Sequence, residues 1–289
     1  MIPAAFEYAA PKTVAEAIAL LRGADSGGKI LAGGQSLVPM MRFRLAAPNL
    51  LIDITRIPEL RIFKEESGYL RIGAMVTHGE LERSAMVGER YPLLASTARV
   101  VADPIVRERG TICGSLVHAD PAGDWGAALI AARAQAVVTG PAGERTMPLD
   151  DFLVDTFTTA LGEDEILTEV RVPTPPALSG GNYQKIERKV GDFATAAVGV
   201  QLTLSEQGAV EAVGIGLCAA GPVSLRATAA EGMLIGKVLD DASITAAAAA
   251  AATQAEPTAD TRGAIDYKRD MVRVLTSRAL HAARAAIRA

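Results

Sequence analysis

Apolar and polar positions along this chain follow two rhythms. Val14, Ala17, Ile18 and Leu21 recur at helical intervals behind Thr13, with Glu16 at capping-box spacing, which predicts a short amphipathic helix ending at Gly23. Thr77 to Arg83 predicts a second capped helix. Tyr91 to Val101 predicts a longer one, with Pro92 near its start and Leu93, Leu94, Thr97, Ala98 and Val101 on one face. Shorter apolar runs predict strands at Lys29 to Ala32, Leu50 to Ile54, Leu70 to Ile72, Ala136 to Thr139 and Glu165 to Val172, the last closed by Pro173. Leu37 to Arg44 reads as a helix or irregular segment, and the alanine-rich stretch up to Ala134 as a helix.

Thr174 to Gly181, rich in Pro, Ser and Gly, is the clearest linker. A domain boundary is expected there, separating 1–176 from 177–289. Beyond it, Tyr183 to Lys189, Ala194 to Leu204 and Val210 to Leu217 predict three strands, with a hairpin turn at Glu206-Gln207-Gly208. Helices are expected over Ser224 to Ile235, over Ile244 to Ala255 and from about Asp266 onward. The economical reading is a small antiparallel sheet with helices on it, giving an α+β chain.

Two glycine-rich stretches interrupt these elements, Ala32-Gly33-Gly34-Gln35-Ser36 and Thr111-Ile112-Cys113-Gly114-Ser115. Glycine lets successive main-chain N–H groups converge, and such a nest binds phosphate oxygens. Two nests brought together would suit the two phosphates of a dinucleotide; as isolated motifs both also read as ordinary turns.

Composition narrows the partners. A chain of 289 residues, 49% hydrophobic and 21% charged, suits two globular domains. A net charge of -4 without a block of Lys or Arg argues against nucleic acid. With only Cys113 and Cys218, the chain supports neither a disulfide framework nor a four-cysteine cluster or zinc site, so any iron–sulfur cluster belongs to another subunit. Met1 to Tyr8 lacks signal-peptide features and Ile244 to Ala255 is too short to span a bilayer, which makes the cytoplasm the expected location.

Several motifs are refused. Gly23 to Lys29 spells G-x-x-x-x-G-K, but Ile30 stands where a P-loop needs Ser or Thr. Gly214 to Ala219 matches G-x-G-x-x-A, yet Gly221-Pro222 stops a helix from opening, so it reads as a closely packed strand. His78, His118 and His281 have no metal-ligand spacing. Ser36 and Ser115 lie outside any nucleophile elbow and read as phosphate hydroxyls, and Cys113 reads as a packing residue.

Taken in order, Phe6-Glu7-Tyr8, Ala32 to Leu37, Thr111 to Ser115, His118 to Asp124, Lys185 and Gly191-Asp192-Phe193-Ala194 resemble the FAD-binding medium subunits of molybdenum hydroxylases. Leu37 to Leu45 and Lys189 to Ala197 look most like the carbon monoxide dehydrogenase branch. The resemblance implies a vanillyl-alcohol-oxidase (PCMH) type FAD domain in two subdomains, about 1–56 and 57–176, followed by a smaller C-terminal domain. It implies that the pyrophosphate meets Ala32, Gly33, Gly34, Gln35, Ser36 and the adjoining Leu37 on one loop, and Thr111, Ile112, Cys113, Gly114 and Ser115 on the other. It matches Asp124 to the family's cofactor-binding carboxylate after the second loop, and Val101, Ala102, Leu167 and Lys185 to the flavin side, where a lysine would favour an anionic reduced ring. Two plainer readings stay open: Lys185 as a solvated strand lysine and Asp124 as a helix N-cap before Trp125. Cys113 replaces a glycine of the family; if the site demands positive φ, that costs about 1 kcal/mol. The four-cysteine insertion of the benzoyl-CoA reductase branch is absent.

The implied function is an electron-transfer flavoprotein subunit. It would take electrons from [2Fe-2S] clusters of a small subunit after a large molybdenum subunit oxidises substrate, and pass them to an acceptor such as a quinone. A dimer of heterotrimers, attached through the complex to the inner face of the membrane, is expected from the resemblance. Carbon monoxide competes with N-heterocycles and aldehydes as the substrate. A free-standing flavin oxidoreductase and a colourless scaffold are the alternatives from other classes.

Overall fold

The computed structural model describes residues 2–25 and 27–287. Strand β1 (Glu7–Ala9), helix α1 (Val14–Gly23), β2 (Gly28–Leu31), α2 (Leu37–Arg42) and β3 (Leu50–Asp53) build a parallel sheet of order β1-β3-β2. Parallel pairing needs crossovers, which α1 and α2 supply. The α1 stripe lies inside, with Ala17, Ile18 and Leu21 buried, and the Thr13 side chain accepts the Glu16 amide at its start.

A second sheet opens with β4 (Phe63–Glu66) and β5 (Tyr69–Gly73). The chain then leaves it through α3 (His78–Arg83), α4 (Ala85–Arg90), α5 (Pro92–Ala98), α6 (Pro104–Arg107), α7 (Ile112–His118) and α8 (Asp124–Ala131). It returns with β6 (Gln135–Gly140) and β7 (Gly143–Pro148), passes a one-turn helix α9 (Leu149–Phe152) and a ribbon of β8 (Leu153–Asp155) and β9 (Thr158–Thr159), and closes with β10 (Ile166–Pro173). The order is β4-β5-β10-β6-β7, antiparallel throughout. At α3 the capping box is complete: the Thr77 hydroxyl accepts the Glu80 amide, and the Glu80 carboxylate accepts the Thr77 amide.

The third sheet runs β11 (Ser179–Ile186), β12 (Ala196–Leu204), β13 (Val210–Cys218) and β14 (Leu225–Arg226), followed by α10 (Thr228–Leu234), α11 (Asp241–Gln254) and α12 (Ile265–Ala285). It has four strands where three were expected, because Leu225 and Arg226 pair with β13 before α10 begins, which shortens the helix expected from Ser224. The linker is also shorter than its composition suggests. Gly180 and Gly181 belong to β11, where a Cβ on Gly180 would run into the Ala283 carbonyl of α12 and one on Gly181 would meet Leu93 of α5 at 2.8 Å. These glycines serve close packing rather than a turn.

Helix α8 packs against the third sheet. All its residues are buried, and Gly214 and Gly216 of β13 pass so near the Ala131 and Ala127 carbonyls that no Cβ fits between them. The G-x-G-x-x-A stretch is therefore a closely packed strand, as its residues predicted. The other face of the sheet is closed by α10, α11 and α12 over a core containing Val198, Val200, Ile215, Leu234, Ile244 and Leu280.

Candidate functional site: two glycine stretches and a buried lysine–aspartate pair

The first glycine stretch turns sharply between β2 and α2, with Gly34 at φ 74°. Among the described residues, the amides of Gly33, Gly34, Gln35 and Ser36 donate no hydrogen bond to protein. Four neighbouring free donors form the kind of concavity that takes an anion. Gly33 has a further role, because a Cβ there would collide with the Arg109 carbonyl and come within 2.8 Å of the Gly110 Cα. The loop from the first sheet thus rests directly on the residues that lead into Thr111, and the fold brings the two stretches together.

The second stretch is a helix start rather than a second open turn. Thr111 is the N-cap of α7 and its hydroxyl accepts the Gly114 amide at 3.1 Å, while Ile112 to Ser115 form the first helical residues. Cys113 is absent from the positive-φ residues, so the strain that a cysteine would meet in a left-handed turn does not arise. Its side chain is buried, and burial, helped by the Glu169 charge, pushes the thiol well above its ordinary range. It is an inert packing group. The sequence signal for this helix was the Thr111 hydroxyl three residues before Gly114, a cap spacing masked by the glycine-loop pattern.

On the other side, Lys185 of β11 reaches into the protein with a side chain only 2% exposed. Its Nζ lies 2.9 Å from Asp124 Oδ2 and donates to the Val100 carbonyl at 3.0 Å, with Glu187 Oε2 at 3.2 Å. Asp124 Oδ1 accepts the Tyr183 hydroxyl at 3.0 Å. The solvated-lysine reading therefore fails. The N-cap reading of Asp124 fails too, since Gly123 occupies that position and Asp124 is the first helical residue. Burial pushes the Asp124 carboxyl up to about 6 against the pull of Lys185. Burial acts to lower Lys185, but the Asp124 and Glu187 carboxylates overcome it and leave it raised.

Val101 and Ala102 follow the carbonyl that Lys185 engages. Ala102 has φ 49°, and Arg107 Nη1 fixes the turn by donating to the Val101 and Ala102 carbonyls at 3.1 and 3.0 Å. Gly191 backs the same turn, a Cβ there lying 3.1 Å from the Ala102 carbonyl carbon, so the Gly191-Asp192-Phe193-Ala194 motif is joined to this edge. Leu167 is buried in β10, where the register slips between it and Glu169, and α7 packs on that strand.

Sequence reading passed over two further groups. His78 accepts a hydrogen bond from Trp125 Nε1 at 3.0 Å, while its amide donates to the Gly110 carbonyl; burial and the Arg107 charge lower the imidazole to about 4. An open cleft of about 390 Å³ beside the first loop is also lined by Arg42, Asp53, Thr55 and Arg109. Asp53 had a legible signal, as the one charged residue of the Leu50 to Ile54 run. Among the described residues no group of His, Cys, Asp and Glu is placed to hold a metal ion, and no helix is long and apolar enough to cross a membrane.

Residues 4–175 match the family described as the FAD binding domain in molybdopterin dehydrogenase, and residues 181–283 match the CO dehydrogenase flavoprotein C-terminal domain. The chain is 46% identical over 283 residues to the carbon monoxide dehydrogenase medium chain of Hydrogenophaga pseudoflava, covering 98% of each. It is 36% identical to the 6-hydroxypseudooxynicotine dehydrogenase complex subunit alpha of Paenarthrobacter nicotinovorans, over 98% of this chain and 97% of that one. A solved structure of the Hydrogenophaga pseudoflava carbon monoxide dehydrogenase lacking the Mo-pyranopterin moiety superposes with a TM-score of 0.97 at 47% identity, covering all of both chains. The free amides of the first loop, its seat against the second stretch and the buried Lys185–Asp124 pair thus belong to a chain of known lineage: it is a member of the FAD-binding subunits of molybdenum hydroxylases, an oxidoreductase component.

Proposed function

We propose that this chain is the electron-transferring FAD subunit of a molybdenum hydroxylase that oxidises carbon monoxide. The observation that carries the reading is the meeting of the two glycine stretches, where Gly33 rests on Arg109 and Gly110 and leaves four amides free. A diphosphate suits those donors, so the residues present fit FAD. Ala32 to Leu37 and Thr111 to Ser115 would hold the pyrophosphate, Val101, Ala102, Leu167 and Lys185 would surround the ring side, and Asp124 would be the cofactor-binding carboxylate after the second stretch. When bound, FAD exchanges one or two electrons, which lets it link one-electron carriers to a two-electron acceptor.

The protein's own residues supply placement. Asp124 and the Val100 carbonyl accept hydrogen bonds from the Lys185 ammonium and Glu187 adds an ion pair, so the charge sits at a set point beside the Val101–Ala102 turn. Arg107 holds that turn in its left-handed conformation. In this reading the chain divides into subdomains 1–56 and 57–176 and a C-terminal domain 177–289. A small subunit with [2Fe-2S] clusters delivers electrons from a large molybdenum subunit within a dimer of heterotrimers, and a quinone accepts them at the inner face of the cytoplasmic membrane.

Carbon monoxide is favoured because the relative bearing that name is 46% identical over nearly the full length, against 36% for the 6-hydroxypseudooxynicotine relative; an N-heterocycle substrate is the second reading. The visible spectrum of the chain, purified alone and with its native partners, tests the proposal. Flavin bands in the chain, with cluster absorbance and molybdenum only in the co-purified complex and bleaching by carbon monoxide, are expected. A colourless complex that takes up no FAD would sink the flavin reading; bleaching only by an N-heterocycle would replace the substrate.

A further inference from the structure

The cleft beside the first loop has chemistry that the loop amides do not use. Asp53 ends β3 in register with Leu31, the last residue of β2, so its Cα stands one strand spacing, about 4.8 Å, from the residue that enters the glycine turn. Its carboxylate is held from two sides: Oδ1 accepts the Thr55 amide at 2.8 Å and Oδ2 accepts the Tyr8 hydroxyl at 2.6 Å. Burial acts to raise this carboxyl, but the Thr55 and Tyr8 hydrogen bonds and the Arg56 charge leave it below the ordinary value. Each oxygen retains a lone pair, and an ionised carboxylate only accepts. Whatever it meets in the cleft must be a donor.

Arg42 and Arg109 line the same cleft, and neither guanidinium makes a hydrogen bond or ion pair among the described residues. Two free cations, free amides and one fixed acceptor complement two phosphates joined to a hydroxyl-bearing sugar. Val101, Ala102 and Lys185 do not line the cleft, so it faces the end of the dinucleotide remote from the ring. A volume of about 390 Å³ lies within the small-molecule range of roughly 300–1,000 Å³.

We propose that Asp53 accepts hydrogen bonds from the ribose hydroxyls of the adenosine diphosphate part of FAD, whose phosphates face Arg42 and Arg109. The AMP half is then a recognition element in its own right and ADP a sufficient ligand. This rests on the FAD reading above. An acidic residue at the carboxyl end of a parallel strand, beside a glycine turn, takes ribose hydroxyls in other dinucleotide crevices for the same reason of reach.

Titration calorimetry on the full chain stripped of flavin provides the test, with FAD, FMN, ADP and 2′,3′-dideoxy-ADP as probes. Wild type is expected to take up ADP, and D53N to weaken ADP by about tenfold, the loss of one charge-assisted hydrogen bond. Dideoxy-ADP should bind wild type about as weakly as ADP binds D53N, and D53N should show no further loss with it. FMN binding should be unchanged in D53N, and R42Q and R109Q should each weaken ADP and flatten its salt dependence. Uptake of FAD without ADP, losses that multiply, or equal affinity of wild type for ADP and dideoxy-ADP would overturn the assignment while leaving the FAD reading intact. The dideoxy arm needs no variant to fold. Absence of FAD uptake by wild type would instead remove the reading on which the assignment stands.

Discussion

Lys185 and Asp124 are separated by 61 positions in the chain and lie 2.9 Å apart in the fold. Removing one member of a buried pair strands the other charge, which costs several kcal/mol. K185M is therefore expected to lower unfolding free energy by roughly 3 kcal/mol, and D124N added to it should restore part of the loss; chemical denaturation checks both. His78 makes the residue scale pH-dependent. Its folded value of about 4 lies below the ordinary 6.5, so its contribution is present above 6.5 and is lost as the pH falls through 4. Asp124 has the opposite sign: raised to about 6 from 3.8, it stabilises most below 3.8 and loses that contribution as the pH rises through 6. H78Q, which keeps an acceptor for Trp125, should leave the Asp124 slope uncompensated. The wild-type advantage over H78Q should grow by up to roughly 3 kcal/mol from pH 4 to 6.5, measured by denaturation across that range.

Helix α7 shows where pattern reading and element formation part. The stretch Thr111 to Ser115 reads in sequence as a phosphate-binding nest or a turn, with strain at Cys113 if φ were positive; the Thr111 cap instead carries the chain straight into a helix with Cys113 in its first turn. C113G is expected to destabilise by about 1 kcal/mol, since glycine loses more backbone entropy in a helix and the buried thiol's packing goes too. A rise in melting temperature would contradict this. Elements with a strong local rule were legible beforehand: α1 from its four apolar positions, α3 from Thr77 and Glu80, and the start of α5 from Pro92, although α5 ends at Ala98, short of the Val101 expected on its face, where the chain turns towards Ala102. Strand β14 was not, because two residues carry no period and their pairing depends on β13.

At the scale of the molecule, the candidate site exists only where separate sheets meet. Gly33 is the point of closest approach between the first sheet and the segment before α7, and G33A would force a methyl group against the Arg109 backbone. It is expected to separate the stretches and weaken FAD binding at least tenfold, a loss of about 1.4 kcal/mol, with the first loop's own fold retained; flavin fluorescence titration reads this directly. G114A tests the contrast, because its Cβ would meet only the Thr111 hydroxyl at 2.8 Å and should cost cap stability of about 1 kcal/mol.

Local rules acting along the chain set the capped helices, the apolar strands, the chemistry of the glycine stretches, and a family resemblance resting on their order. Tertiary structure alone decided that Gly33 seats on Gly110, that Lys185 finds Asp124, and that Asp53, Arg42 and Arg109 share a cleft. Local propensity acts over a few residues, whereas these juxtapositions depend on how sheets and helices stack, and stacking is set by burial summed over the whole core.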